Sequence, residues 1–255
     1  DFVVTGNGID MAKSVAARLG DNVNVNIFRN FGTAMLKYDD LEIEFVGARK
    51  ESYRAHSRKP DVEGGTISDH QLRRDFTINA LYADASGFIT DPVGGIDDIN
   101  ARRVRFIGDP VKRIREDYLR SLRFFRFTAR YAKNDADESA LIAIDQERDG
   151  LATLSRERVR TELMKLLEAP RVLYVLRLMA HRNLIDPIFG LPLDLDGFSR
   201  MLQHDPGADL FLRLAALAIH KPNDALTLRE TMRLSNTETD RLEKLGEVSM
   251  QLSAL

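Results

Sequence analysis

The sequence predicts an α+β protein, with a mixed-sheet domain over the first hundred residues and helices alone after it. Three observations predict this. Strand-length apolar runs end at 104–107, a 3.6-residue apolar period dominates from 117 onward, and the change follows the turn-rich string Asp91-Pro92-Val93-Gly94-Gly95. The chain of 255 residues is 44% hydrophobic, enough for two packing units.

Phe2-Val3-Val4 is a short apolar run, and the sequence opens at Asp1 within it, so it reads as a piece of a longer chain. Residues 9–19 place Ile9, Met11, Ala12, Val15, Ala16 and Leu19 on one helical face and stop at Gly20. Strands are expected at 23–28, 33–38 and 41–46, the last two joined by a tight Asp39-Asp40 link. Residues 47–66 have no periodicity, carry Pro60, Gly64 and Gly65, and read as a long loop. A last strand is expected at 104–107, and helices at 117–133, 155–168, 172–181, 209–220 and 236–252. The resulting domains are a head over 1–100, a basic helical neck over 101–170 and a helical body over 171–255.

Composition excludes several classes of function. No eighteen apolar residues run together and mean hydropathy is −0.28, which excludes a spanning helix. Cysteine is absent, so there is no disulfide, thiol nucleophile or thiolate-bound metal, in keeping with a cytoplasmic protein. The net charge of −2 hides an asymmetry. Residues 101–133 hold eleven basic and three acidic side chains, a net +8, and residues 49–59 add +4. Charge clustered in this way faces phosphate or forms a solvated surface balanced by acidic neighbours.

Three motifs carry the chemistry, and two others do not. Gly6-Asn7-Gly8 lacks the third glycine and the acidic residue of a dinucleotide site, and reads as a strand-to-helix turn. His204-Asp205 has no further cluster of metal ligands around it. Glu42 and Glu44, two apart in a strand, share a face, and Asp1 adds a carboxylate on another strand; hard oxygen donors of this kind suit Mg²⁺. Either glutamate alone also suits the wet face of a hairpin. In the string 73–81, read as a short helix, Arg73 and Arg74 can grip a polyphosphate, and Asn79, one turn after Asp75, can bond a sugar hydroxyl. On the helix expected from 117, Arg120, Arg123, Arg126 and Arg130 form one stripe, with Asp117 beside Arg120 at its edge.

Taken in order, Asp-Phe-Val-Val at 1–4, Gly-Thr at 32–33, Glu-Phe-Val-Gly-Ala-Arg at 44–49, RRDFTINAL at 73–81, DPVGGIDDI at 91–99, GDP at 108–110, EDYLRSLRFFRF at 116–127 and SRERVRTELMKLL at 155–167 resemble the class II tRNA nucleotidyltransferase and poly(A) polymerase family. The resemblance covers residues 1–170. It implies a nucleotidyltransferase-fold head whose Asp-x-Asp strand pair and a third carboxylate bind two Mg²⁺. Asp1 matches the second aspartate of the pair and Glu44, rather than Glu42, the third carboxylate; the first aspartate would precede residue 1. It further implies that Arg49, Arg73 and Arg74 hold a triphosphate, that Asp75 and Asn79 belong to the nucleotide site, and that Arg123, Arg126 and Arg130 supply positive field, Arg123 and Arg126 at the nucleotide; the clustered charge itself points Arg126 and Arg130 toward RNA phosphate, the alternative being that the stripe serves the nucleotide and the protein interior. Asp117 and Arg120 match the residues that pair with the incoming base. The pattern departs from the family at Tyr118, where proline is usual, and at Ser121, where an apolar residue is usual.

Base choice then follows from hydrogen-bond polarity. Cytosine and adenine both offer an amino donor beside a ring-nitrogen acceptor, which a carboxylate and a guanidinium satisfy. Uracil and guanine reverse that polarity and leave buried groups unpaired, a mismatch able to reject them by up to about 10⁴-fold. The implied activity is CCA addition to the tRNA 3′ end from CTP and ATP with pyrophosphate release. A-adding, CC-adding and poly(A)-polymerase activities share these motifs, and a non-catalytic RNA-binding module is the reading from another class.

Overall fold

The computed structural model describes residues 1–20, 23–29, 32–52 and 61–253. Two compact units divide the chain, Asp1–Ile99 and Asn100–Leu255.

The first unit is built on a four-stranded sheet. Strand β1 (Phe2–Val4) leads into helix α1 (Gly8–Leu19), followed by β2 (Asn24–Phe28), β3 (Thr33–Tyr38) and β4 (Leu41–Gly47). The sheet order is β1-β4-β3-β2, with β1 parallel to β4 and the other pairs antiparallel. The Asp39-Asp40 link works because Asp39 takes φ +50°, which a two-residue hairpin needs and aspartate tolerates. Strand alternation sorts the side chains. Ala34, Leu36 and Phe45 join Ala12 of α1 in the core, with Ile9, Val15, Val25 and Ile43 packed around them, while Thr33, Met35, Glu44 and Val46 take the other face. Met11 and Leu19, expected on the buried face of α1, are 42% and 43% exposed, because a narrow sheet covers only a narrow stripe of the helix.

The β1–α1 turn is the strand-to-helix turn expected of Gly6-Asn7-Gly8. The Asn7 side chain accepts from the Ile9 and Asp10 backbone N–H groups and caps the helix. A Cβ at Gly8 would lie 2.7 Å from the Gly47 backbone nitrogen and one at Gly47 would lie 2.6 Å from the Gly6 carbonyl, so the turn presses on β4 without room for a side chain. Gly8→Ala is therefore expected to destabilise the chain by about 1–3 kcal/mol, the range for overpacking. Urea unfolding measures it, and an unchanged midpoint would contradict the close approach.

Two further expectations fail in this unit. The stretch 47–66 is not a plain loop: β5 (Arg49–Ser52) and β6 (Asp61–Gly64) pair antiparallel, and 53–60 lie outside the described residues. Backbone pairing needs no apolar alternation, so the charged sequence hid the ribbon. Nor is 73–81 one short helix. Helix α2 (Ile67–Leu72) stops at Arg73, Phe76 is extended, and only a 3-10 turn, Thr77–Asn79, follows. The Asp75 carboxylate accepts from the Phe76 N–H and the Asn79 side-chain amide, both at 2.9 Å, and these local bonds displace helical ones. The hairpin β7 (Tyr82–Ala83) and β8 (Ile89–Thr90) and helix α3 (Gly95–Asn100) complete the unit. Asp91 accepts from the Gly95 and Ile96 N–H groups at the start of α3, and Thr77 donates to buried Asp98 at 2.6 Å.

The second unit is helical: α4 (Pro110–Glu116), α5 (Leu119–Tyr131), α6 (Glu138–Gln146), α7 (Arg156–Leu167), α8 (Val172–His181), α9 (Asp186–Phe189), α10 (Leu195–His204), α11 (Leu210–Ala218), α12 (Asp224–Met232) and α13 (Asn236–Ser253). The strand expected at 104–107 is irregular backbone with a single bridge at Phe106. Its apolar residues Val104, Phe106 and Ile107 are core fillers, 2–4% exposed, and a buried apolar run carries no periodicity to distinguish the two. Helix α5 packs against α4, α7 and α8, so the segments expected as neck and body share one core. Tyr118 precedes α5 in helical conformation without a side-chain cap, and its ring lies against Gly150, where a Cβ would meet it at 2.0 Å. No helix among the described residues is long and apolar enough to cross a membrane.

Candidate active site

On the sheet face away from α1 lies an open cleft of about 410 Å³, lined by Asp1, Glu44, Arg49, Arg73 and Arg74 together with Phe28, Thr33, Met35, Val46 and His70. Phe2 pairs with Phe45 in parallel register, so the neighbouring positions across the two strands are Asp1 and Glu44, and both project to this face. Glu42 stands two positions earlier on the same strand, opposite Lys37, and its side chain, 58% exposed, pairs with Lys37 at 3.7 Å. Glu44 lines the cleft and Glu42 does not.

The arginines reach the cleft from two elements, Arg49 from the start of β5 and Arg73 and Arg74 from the segment just after α2. Asp75 is buried, 6% exposed, and with Asn79 forms the local bond already described, which organises the backbone behind the two arginines. His70, which the sequence reading passed over, is fully buried on α2 and bonds both Arg73 and the Tyr82 hydroxyl. Burial, reinforced by the positive charges of Arg73, Arg74 and Arg49, pushes its pKa down to about 3. No sequence signal marks it, because a lone histidine in a polar helix has no diagnostic spacing.

In the second unit the expected arginine stripe is largely internal. Arg120, 8% exposed, donates to Glu116 and to the Arg113 carbonyl. Arg126 meets the carboxylate of buried Glu162 at 2.5 Å and lies over the Phe127 ring, and Arg123 approaches the same carboxylate at 3.8 Å. Arg126 thus forms an internal ion pair in the unliganded chain, since a helix packed against α4, α7 and α8 must partner its charges. Arg130 remains exposed. The Asp117 carboxylate, one turn before Arg120, caps Leu119 N–H at 3.1 Å and takes Arg158 of α7 at 2.5 Å. Arg158 lies within the SRERV string, where its spacing carries no signal of this contact. Because Glu162 is 6% exposed and serves two guanidiniums, Glu162→Ala is expected to lower stability by about 3 kcal/mol, as when one member of a buried pair is removed, with Glu162→Gln milder. Thermal or urea unfolding checks this, and equal effects of the two variants would speak against a charge role.

Residues 1–105 match the poly A polymerase head domain family, and 136–193 match the family described as probable RNA and SrmB-binding site of polymerase A. The chain is 36% identical over 193 residues to the A-adding tRNA nucleotidyltransferase of Aquifex aeolicus (strain VF5), covering 74% of this chain and 23% of that protein. It is 37% identical over 212 residues to the Homo sapiens CCA tRNA nucleotidyltransferase 1, mitochondrial, covering 81% and 48%. A crystal structure of a tRNA nucleotidyltransferase complexed with a primer tRNA and an incoming ATP analog is similar with a TM-score of 0.74 at 27% identity, over 99% of this chain and 77% of that one. The chain thus spans about a quarter to a half of the length of these two relatives.

The class this fold and cleft define is the α+β nucleotidyltransferase fold with a helical extension. Within that class, the chain belongs to the tRNA nucleotidyltransferase and poly(A) polymerase family.

Proposed function

We propose that this chain is the head, neck and helical body of a cytoplasmic, template-independent tRNA nucleotidyltransferase that adds CMP and AMP from CTP and ATP to the tRNA 3′ end. The observation that carries this reading is the cleft that gathers Asp1 and Glu44 with Arg49, Arg73 and Arg74 on one sheet face. Opposed carboxylate and guanidinium groups in one cleft suit a triphosphate whose α-phosphorus is attacked by the terminal 3′-oxygen as the bond to the pyrophosphate breaks. Arg73, Arg74 and Arg49 hold the phosphates. Asp117 and Arg120, each by exchanging a present partner, read the amino group and ring nitrogen of cytosine or adenine, and exposed Arg130 faces RNA phosphate.

The carboxylates also fit Mg²⁺. Asp1 and Glu44 offer hard oxygen donors only, and Mg²⁺ takes one or two protein carboxylates with substrate phosphates completing its shell. Among the described residues no cluster of three metal-binding side chains occurs, so phosphate oxygens are needed as ligands. Bound there, two Mg²⁺ would activate the 3′-hydroxyl and neutralise the leaving pyrophosphate.

The test incubates the enzyme with tRNA ending before CCA and with tRNA ending in CC, offering each nucleoside triphosphate separately and then CTP and ATP together. Incorporation of CMP and then AMP, with pyrophosphate released and UTP and GTP refused, is the expected result. ATP alone accepted once points to an A-adding enzyme, CTP alone to a CC-adding enzyme, and a long A tail to a poly(A) polymerase. RNA binding with no incorporation would overturn the enzymatic reading.

A further inference from the structure

His70 lines the cleft but has no part in the phosphate or metal binding described above. Its ring is fully buried on α2 and is engaged at both nitrogens. Arg73 can only donate, so Nε2 must accept and the ring proton sits on Nδ1, aimed at the Tyr82 hydroxyl. That hydroxyl also accepts from Arg74 Nε at 3.4 Å, so one imidazole and one phenol together hold two consecutive guanidiniums. The adjoining residue, buried Gln71, donates to the Ala80 and Thr90 carbonyls and ties α2 to the β7–β8 hairpin.

A neutral imidazole fixes the direction of a guanidinium without offsetting its charge. We propose that His70, with Tyr82 behind it, is a positioning residue that aims Arg73 and Arg74 into the cleft while leaving their full positive charge to a nucleoside triphosphate. This rests on reading the cleft as a triphosphate site. The depressed pKa of His70 is consistent with the role, since the ring stays an acceptor at neutral pH.

The test measures calorimetric binding of inorganic tripolyphosphate and of CTP to the full chain and to His70→Leu, His70→Gln and Tyr82→Phe, with the thermal unfolding of each. His70→Leu removes the acceptor at similar volume and is expected to weaken both ligands about tenfold, the effect of one lost buried hydrogen bond to a charged group. Glutamine can accept from Arg73 and donate to Tyr82, so His70→Gln is expected to retain most of the affinity, and Tyr82→Phe to fall between. In turnover, KM for CTP should rise while kcat holds, the pattern of binding lost equally from ground and transition states. Parent-like affinity in His70→Leu, or a loss in His70→Gln equal to that in His70→Leu, would overturn the positioning role. Should His70→Leu not fold, Tyr82→Phe decides, and unchanged tripolyphosphate binding there counts against it. If the parent itself binds neither tripolyphosphate nor CTP, the reading of the cleft falls and this role with it; if the parent binds and the variants match it, only the role of His70 falls.

Discussion

Glu44→Ala is expected to reduce nucleotide transfer by about 10³-fold, a loss of the size seen when one group stabilising transition-state charge is removed, while RNA affinity stays near that of the parent. Parallel register sets Glu44 beside Asp1 on the face that carries the cleft, where neither carboxylate has a basic residue opposite it in the strand pairing. Glu42 shares the strand face but sits at the far end, with its own lysine partner and most of its side chain in solvent. Exposed pairs of that kind contribute about 0–1 kcal/mol, so Glu42→Ala should leave transfer within a few-fold of the parent. Single-turnover incorporation of CMP, with RNA binding measured on the same preparations, separates the two. Equal loss in both variants would remove the basis for choosing Glu44.

Asp117→Ala is expected to weaken the preference for CTP and ATP over UTP and GTP by two or more of the about four orders of magnitude that a hydrogen-bonding site can supply, with slower incorporation of the correct nucleotides. Asp117 is the acceptor for the amino group of the base in the proposed role, yet at rest its carboxylate is held by Arg158 and by the Leu119 N–H. Arg158→Ala should therefore have a smaller effect in the same direction, since it loosens the carboxylate without deleting it. Measuring kcat/KM for the four nucleotides on each variant gives the comparison. Unchanged discrimination in Asp117→Ala would sink the assignment of base reading to this residue.

Local signals were legible where a single element carries its own pattern. Helix α8 and strand β3 fall on 172–181 and 33–38 as the periodicity required, and Asp39 supplied the hairpin link. Glu42 and Glu44 were correctly placed on one strand face, but the sequence did not contain what separates them. That difference comes from Lys37 on the adjacent strand and from the register that sets Asp1 beside Glu44. The β5–β6 ribbon escaped notice because backbone pairing leaves no mark on side-chain order. The break at 73–76 escaped because Asp75 bonding to Phe76 N–H looks, in sequence, like any acidic residue in a helix.

The sequence by itself determined the order of elements, the change from sheet to helices near residue 100, the family, and the residue types available for phosphate and metal chemistry. Only the tertiary structure decided which of those charges remain available. The +8 segment suits phosphate or a solvated face in the sequence, and only the fold shows Glu162, 36 residues along the chain from Arg126, buried against it and Arg158 on Asp117. Conversely, Arg73 and Arg74 read as a phosphate grip in the sequence, and only the structure shows the buried histidine that bonds Arg73 beside the cleft. The reason is physical: side-chain type is local, whereas desolvation and ion pairing depend on what packs alongside, so the charge of a residue is written in the sequence and its use is set by its neighbours in space.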